Sequence, residues 1–221
     1  MISHTPFIPA AVIFDMDGLM LDTEKPLIDI WVEAAEKLGW HISAEIALKT
    51  IGITENDTYS LLMNTYGPTF PYEKIKGKGM ELYIEKTEKE GIPLKAGLIT
   101  LLDHLDKLGI PLAVATSTDK KAACRKLEKA KIYQRFKTMA CGDEVTRGKP
   151  APDIFLLAAE RLNVDPHSCI GFEDSPAGLQ ALQSAGIPSV FVKDLVQPSP
   201  EILSTVWRRF DNLAEAVPLF G

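Results

Sequence analysis

The sequence predicts a parallel α/β sheet covered by helices on both faces, with a helical domain inserted behind its first strand. Three observations carry that reading. An apolar run, "AVIF" at 11–14, ends abruptly in the acidic segment "DMDGLMLDTE". Residues 22–91 then show almost nothing but helical spacing, and from about residue 98 onward short apolar runs alternate with amphipathic helical stretches. Near-continuous apolar strands separated by helices imply a sheet buried on both sides.

Taken in order, the first strand is "AVIF". The stretch "EKPLIDIWVEAAEKLG" follows, with Leu27, Trp31, Ala34, Ala35 and Leu38 on one stripe and Gly39 placed to stop a helix. Two more helical patterns come next, "TENDTYSLLMNTYG" and "YEKIKGKGMELYIEKTEKEG", the second expected to be weakened by Gly77 and Gly79. The βα rhythm then runs through helix "GLITLLDHLDKLG", strand "IPLAVAT", helix "KKAACRKLEKA", strand "TMAC", helix "DIFLLAAERLN", strand "SCIGF", helix "AGLQALQSAG" and strand "SVFV". "LVQPSPE" reads as a loop. The expected division is a core of residues 1–21 and 92–221 and a helical domain of residues 22–91.

Composition narrows the function. The 221 residues are 46% hydrophobic and 24% charged, with a net charge of −6, so the chain lacks the excess of Lys and Arg needed to neutralise a phosphate backbone or an acidic membrane surface. No nucleic-acid partner and no membrane partner are expected. Cys124, Cys141 and Cys169 have no CxxC spacing and read as reduced packing residues. No apolar run reaches the length of a membrane span, and "MISHTPFIPAAVIF" lacks a secretory signal, so a cytoplasmic location is expected.

In a parallel sheet, ligands gather at the carboxyl ends of the strands. Asp15 and Asp17 stand at such an end. Three other polar groups follow strands or occupy loops: "ATST" at 115–118, "RGKPAPD" at 147–153 and "GFEDS" at 171–175. If these loops face one point, Asp15, Asp17, Glu173 and Asp174 share a crevice with Thr116 and Lys149. So many carboxylates in one place call for a cation, and Mg²⁺ suits a few carboxylates plus a substrate phosphate. One carboxylate would then face substrate as a nucleophile. Each residue alone has a plainer reading: Asp as a turn or cap residue, one of Thr116, Ser117 and Thr118 as a helix cap, Lys149 as a solvated lysine.

The four motifs in this order resemble those of the haloacid dehalogenase-like hydrolases. "DMDGLMLDTE" is similar to the first, Thr116 after "PLAVA" to the second, Lys149 in "GKPAPD" to the third and "GFEDS" to the fourth, and the insertion is similar to that family's small helical cap. The resemblance implies a Rossmann-like core, Mg²⁺ and an aspartyl-phosphate intermediate. It implies Asp15 as nucleophile and metal ligand. Asp17 would be the general acid and base and would give its backbone carbonyl to the metal. Thr116, Ser117 and Lys149 would bind phosphate, Asp174 would bind the metal, and Glu173 would assist directly or through water. Because expelling an alkoxide needs a proton and expelling halide does not, Asp17 favours phosphate-ester chemistry.

The expected function is therefore a phosphatase acting on a small phosphorylated metabolite such as a sugar, polyol or nucleoside monophosphate. A phosphomutase of the beta-phosphoglucomutase type is the enzymatic alternative. Those mutases carry a His after the "DT" and an Arg in the cap loop, whereas this chain has Leu27 and, within "GITEND", Glu55, the candidate substrate contact from the cap. A phosphorylation-dependent binding switch is a third reading, opposed by the helical insertion and by the phosphoacceptor's place after the first strand. Asp22, Thr23 and Glu24 are read as mainly structural, with Thr23 as a helix cap, and none of His4, His41, His104 and His167 is expected to serve as ligand or base.

Overall fold

Six short strands form one all-parallel sheet in the order β3-β2-β1-β4-β5-β6: β1 (Ala11–Phe14), β2 (Leu112–Thr116), β3 (Thr138–Cys141), β4 (Cys169–Glu173), β5 (Ser189–Val192) and β6 (Arg208–Phe210). The structure is a computed structural model that describes residues 8–50 and 55–220; the side chains of residues 24–27, 55 and 56 also lie outside the described residues. The chain divides into two compact units, Met1–Leu21 with Pro93–Gly221, and Asp22–Ile92. No helix among the described residues is long and apolar enough to cross a membrane.

In the first unit, α5 (Leu98–Lys107), α6 (Lys120–Lys129), α7 (Asp153–Leu162), α8 (Pro176–Ala185) and α9 (Pro200–Thr205) accompany the strands. All residues of β1 are fully buried, which explains its unbroken apolar run: Ala11 and Ile13 face a cluster with Ile154, Phe155, Ala158 and Leu182. Phe14 meets Phe172 in a stack 5.0 Å between centroids. Residues at the two sheet edges are handled differently. At β3, Arg161 of α7 donates to the Met139 carbonyl, and the Cys141 N–H donates to Glu144 at 3.1 Å, while Arg161 and Glu144 pair with each other through bonds of 2.9 and 3.1 Å. At β6, Arg208 and Arg209 occupy the strand itself.

The second unit holds α1 (Glu24–Lys37), α2 (Ala44–Leu48), α3 (Glu55–Tyr66) and α4 (Tyr72–Glu90), with Ala34, Ala35, Leu62, Phe70 and Ile75 in its core. α4 runs on through Gly77 and Gly79, the two residues expected to weaken it. Gly79 faces Ile30 and Ala34 of α1, at 3.7 and 3.9 Å from where its Cβ would stand, so packing between the two helices offsets its low propensity. The α1 stripe is also shifted: Ile30 is buried, whereas Leu38 lies past the helix end and is 39% exposed. Gly39, at φ +76°, ends the helix as its position suggested. Thr23 occupies the N-cap position of α1 without a side-chain capping bond. "LVQPSPE" is a loop only in its first part, because Ser199 caps α9 by accepting from the Ile202 N–H at 3.4 Å.

Candidate active site

Strand order decides which loops meet. β1 lies between β2 and β4, with Phe14 opposite both Val114 and Phe172, so Asp15, Thr116 and Glu173 finish neighbouring strands at one end of the sheet. The Asp15 N–H extends the ladder by donating to the Phe172 carbonyl at 3.0 Å, which fixes the backbone that carries the carboxylate. Lys149 enters from the loop between β3 and α7. Its ammonium pairs with Asp15 and with Glu173, the latter at 2.9 Å, and sits 4.9 Å from the Phe155 ring centroid.

Two glycines make room for the acids. Around Gly178, in the first turn of α8, the Glu173 carboxylate fills the space a Cβ would need. Gly18, at φ +88°, turns the loop behind β1 where a Cβ would strike Asp174. Glu173 has both oxygens engaged: Oε1 accepts from the Asp174 N–H at 3.3 Å and from the Ser175 N–H and hydroxyl at 3.0 and 2.7 Å, while Oε2 accepts from Lys149. Asp174 Oδ1 is buried with no hydrogen-bond partner among the described residues.

Burial, then the charge of Glu173, pushes the Asp15 carboxyl up to about 8 against the pull of Lys149. Asp174 is likewise raised well above the usual carboxylate range by burial, Glu173 and Asp15. Burial favours the neutral form of Lys149, but Asp15 and Glu173 outweigh it and hold the ammonium charged. One lysine thus faces three buried acids. Asp15, Glu173 and Asp174 each offer a carboxylate oxygen, all within 4.8 Å of one another. An all-oxygen donor set, excess negative charge and the partnerless Asp174 oxygen fit a hard divalent cation.

The remaining candidates are placed less centrally. Asp17 is engaged elsewhere by its side chain, with Oδ1 accepting from Lys126 and Oδ2 from the Thr118 hydroxyl, each at 2.7 Å. Thr116 is buried, and its hydroxyl accepts from the Thr118 N–H at 3.2 Å. Ser117 is exposed, with its carbonyl packed where Gly142 lacks a Cβ. None of Thr116, Ser117 and Thr118 caps α6; Asp119 does, accepting from the Ala122 N–H at 3.0 Å. Glu55 opens α3, and its side chain lies outside the described residues, as does the Leu27 side chain. His104 and His167 contact the Phe220 and Gly186 carbonyls, His41 is exposed, and His4 lies outside the described residues.

Lys126 was missed by sequence reasoning, as was the buried ion pair of Lys95 with Asp194, while Thr118 was singled out only within the 115–118 group and as a possible helix cap. Asp194 carried a usable signal: it is a carboxylate placed just beyond an apolar strand, as Asp15 and Asp174 are. Lys126 carried none, since a lysine on an amphipathic helix is ordinarily solvated.

A family profile described as haloacid dehalogenase-like hydrolase matches residues 12–192. The chain is 34% identical over 181 residues to a phosphorylated carbohydrates phosphatase of Thermotoga maritima, covering 82% of this chain and 83% of the relative. Among solved structures, CbbY from Rhodobacter sphaeroides in complex with phosphate is 27% identical with a TM-score of 0.72, over 95% of this chain and 96% of that one. A beta-phosphoglucomutase from Clostridium difficile is 25% identical with a TM-score of 0.69, over 94% and 93%. With a matched span that reaches from β1 to the end of β5 and so includes Asp15, Asp17, Glu173 and Asp174, the chain belongs to the haloacid dehalogenase-like hydrolases.

Proposed function

We propose that this chain, a phosphoric monoester hydrolase, releases phosphate from a small, hydroxyl-rich metabolite such as a sugar, polyol or nucleoside monophosphate, through an aspartyl-phosphate on Asp15 and with Mg²⁺. The observation that carries the proposal is the meeting of Asp15, Lys149, Glu173 and Asp174 at the ends of β1 and β4. Asp15 and Asp174 would hold Mg²⁺ with the Asp17 carbonyl. Glu173, with both oxygens already engaged, would act on the metal through water and orient Lys149. The bound ion supplies positive charge beside the nucleophile and the phosphoryl oxygens.

Asp15 attacks phosphorus, the bond from phosphorus to the ester oxygen breaks, and Asp17 gives that oxygen a proton. Water then attacks phosphorus, Asp17 takes the proton back, and the bond from Asp15 to phosphorus breaks to free phosphate and regenerate the carboxylate. Lys149 spans the nucleophile and the incoming anion, limiting their repulsion. Thr116, with Ser117 beside it, serves the phosphoryl oxygens. The deciding experiment is a panel of sugar, polyol and nucleoside monophosphates with Mg²⁺, scored for phosphate release and for isomerised sugar phosphate. Release is expected. Efficient conversion of a hexose 1-phosphate to its 6-phosphate without net phosphate would instead establish a mutase.

A further inference from the structure

Two further charged side chains are buried at this end of the sheet and have no role in the chemistry above. Asp194 follows β5, and Lys95 precedes α5, with its backbone N–H bonded to the Met20 carbonyl at 2.9 Å in the loop behind β1. Their ion pair is enclosed: the side chains are 15% exposed for Lys95 and 7% for Asp194. Lys95 donates to Asp194 Oδ1, while Asp194 Oδ2 is buried with no hydrogen-bond partner among the described residues.

Gly18 reveals where that oxygen lies. A Cβ on Gly18 would stand 3.3 Å from Asp194 Oδ2 and would collide with Asp174 Oδ2, so both carboxylates border the space over one glycine. A buried ion pair gains little stability over an apolar pair of similar size, and leaving one of its acceptors unsatisfied adds a cost. Packing alone therefore gives no reason for Asp194. A water bound to a divalent cation has two hydrogens to donate, and it would satisfy an acceptor of this kind beside Asp174.

We propose that Asp194, anchored by Lys95, is a positioning residue whose Oδ2 accepts a hydrogen bond from a water on the cation held by Asp15 and Asp174, orienting that ion without ligating it. The inference rests on the divalent-cation reading of the site. Loss of such an outer partner weakens metal binding by about 10- to 100-fold.

The test titrates Mg²⁺ calorimetrically into the full chain and, in parallel, measures thermal unfolding in chelator for wild type, Asp194→Asn and the apolar pair Asp194→Leu with Lys95→Met. The apolar pair removes both buried charges together, so its unfolding temperature in chelator is expected to match or exceed that of wild type while Mg²⁺ affinity falls about 10- to 100-fold. Asp194→Asn, which keeps one weaker acceptor, falls between. Wild-type Mg²⁺ affinity in the apolar pair overturns the proposal while leaving the cation site standing. If that variant does not fold, Asp194→Asn decides, and unchanged affinity there overturns it equally. A wild-type chain that binds no Mg²⁺ removes the cation site and this inference together.

Discussion

Replacing Lys149 by Met would isolate the electrostatic problem the site has to solve. Lys149 is 8% exposed and bridges two carboxylates that are 9% and 1% exposed, so its removal leaves Asp15 and Glu173 facing each other without a countercharge. Breaking a buried pair from one side costs about 3–5 kcal/mol. For a chain of this size each kcal/mol corresponds to about 2–4 °C, which gives a fall of about 6–20 °C in unfolding temperature in chelator. The penalty must depend on pH. The Asp15 carboxyl already stands at about 8 with the lysine present, and losing the lysine raises it further, so in the variant Asp15 is protonated as pH drops and the repulsion disappears. Differential scanning calorimetry should show a larger loss at about pH 9.5 than at about pH 6, because the Asp15 part of the penalty develops only above about 8, and Mg²⁺ should restore stability at the higher pH without restoring turnover. An equal loss at both pH values, or a loss under about 1 kcal/mol at the higher one, would refute the reasoning, since it would place Lys149 in solvent-screened surroundings.

Asp15→Asn should lower phosphate release by at least about 1000-fold while leaving the circular dichroism spectrum unchanged, because an amide of the same volume cannot attack phosphorus. Asp17→Asn should slow alkyl phosphates far more than esters of an acidic phenol, whose leaving group needs little protonation; equal slowing would assign Asp17 to another role. With the Asp15 carboxyl at about 8 in the fold against 3.8 as a free group, the folded chain binds more protons than the unfolded chain between those values. Stability in chelator should therefore fall as pH rises across that window, and Mg²⁺ binding should release protons, visible as a calorimetric heat that changes with the buffer's ionisation enthalpy. Gly79→Ala should raise thermal stability by about 0.5–1 kcal/mol, since its Cβ would meet Ile30 and Ala34 at ordinary contact distance and gain helix propensity; a lower unfolding temperature would mean that α1 and α4 need the bare backbone.

The strands β1 to β5 were legible because a sheet buried on both faces leaves no choice but unbroken apolar runs. β6 was not. An edge strand pairs on one side only, and "RRF" carries its two arginines where a central strand could not. The strand-end acids were legible for the opposite reason, since carboxylates behind apolar runs conflict with packing and need a chemical explanation. What the sequence withheld were pairings across the chain: Lys126 with Asp17, 109 residues apart, and Lys95 with Asp194, 99 apart, involve residue types that fit a solvated surface equally well. The cap of α6 was misjudged by position. Three hydroxyl residues precede Asp119, but Asp119 stands directly before the helix, with the extended backbone, φ −62° and ψ 154°, that turns its side chain onto the first turn.

The bonds that Arg161 and Glu144 make to β3 bear on how the protein behaves in a crowded solution. An open strand edge is a template on which a second chain can add, and at Met139 and Cys141 the carbonyl and the N–H that would recruit it are already taken from within the molecule. That closure depends on a charged Glu144. The bonds from Arg161 outweigh burial and, with Lys120, lower the Glu144 carboxyl to about 2. Its contribution is present above the ordinary glutamate range and is lost only as pH falls toward about 2, so the edge stays shut through mild acid. Self-association along β3 is thereby confined to strong acid or to chains that have lost Arg161.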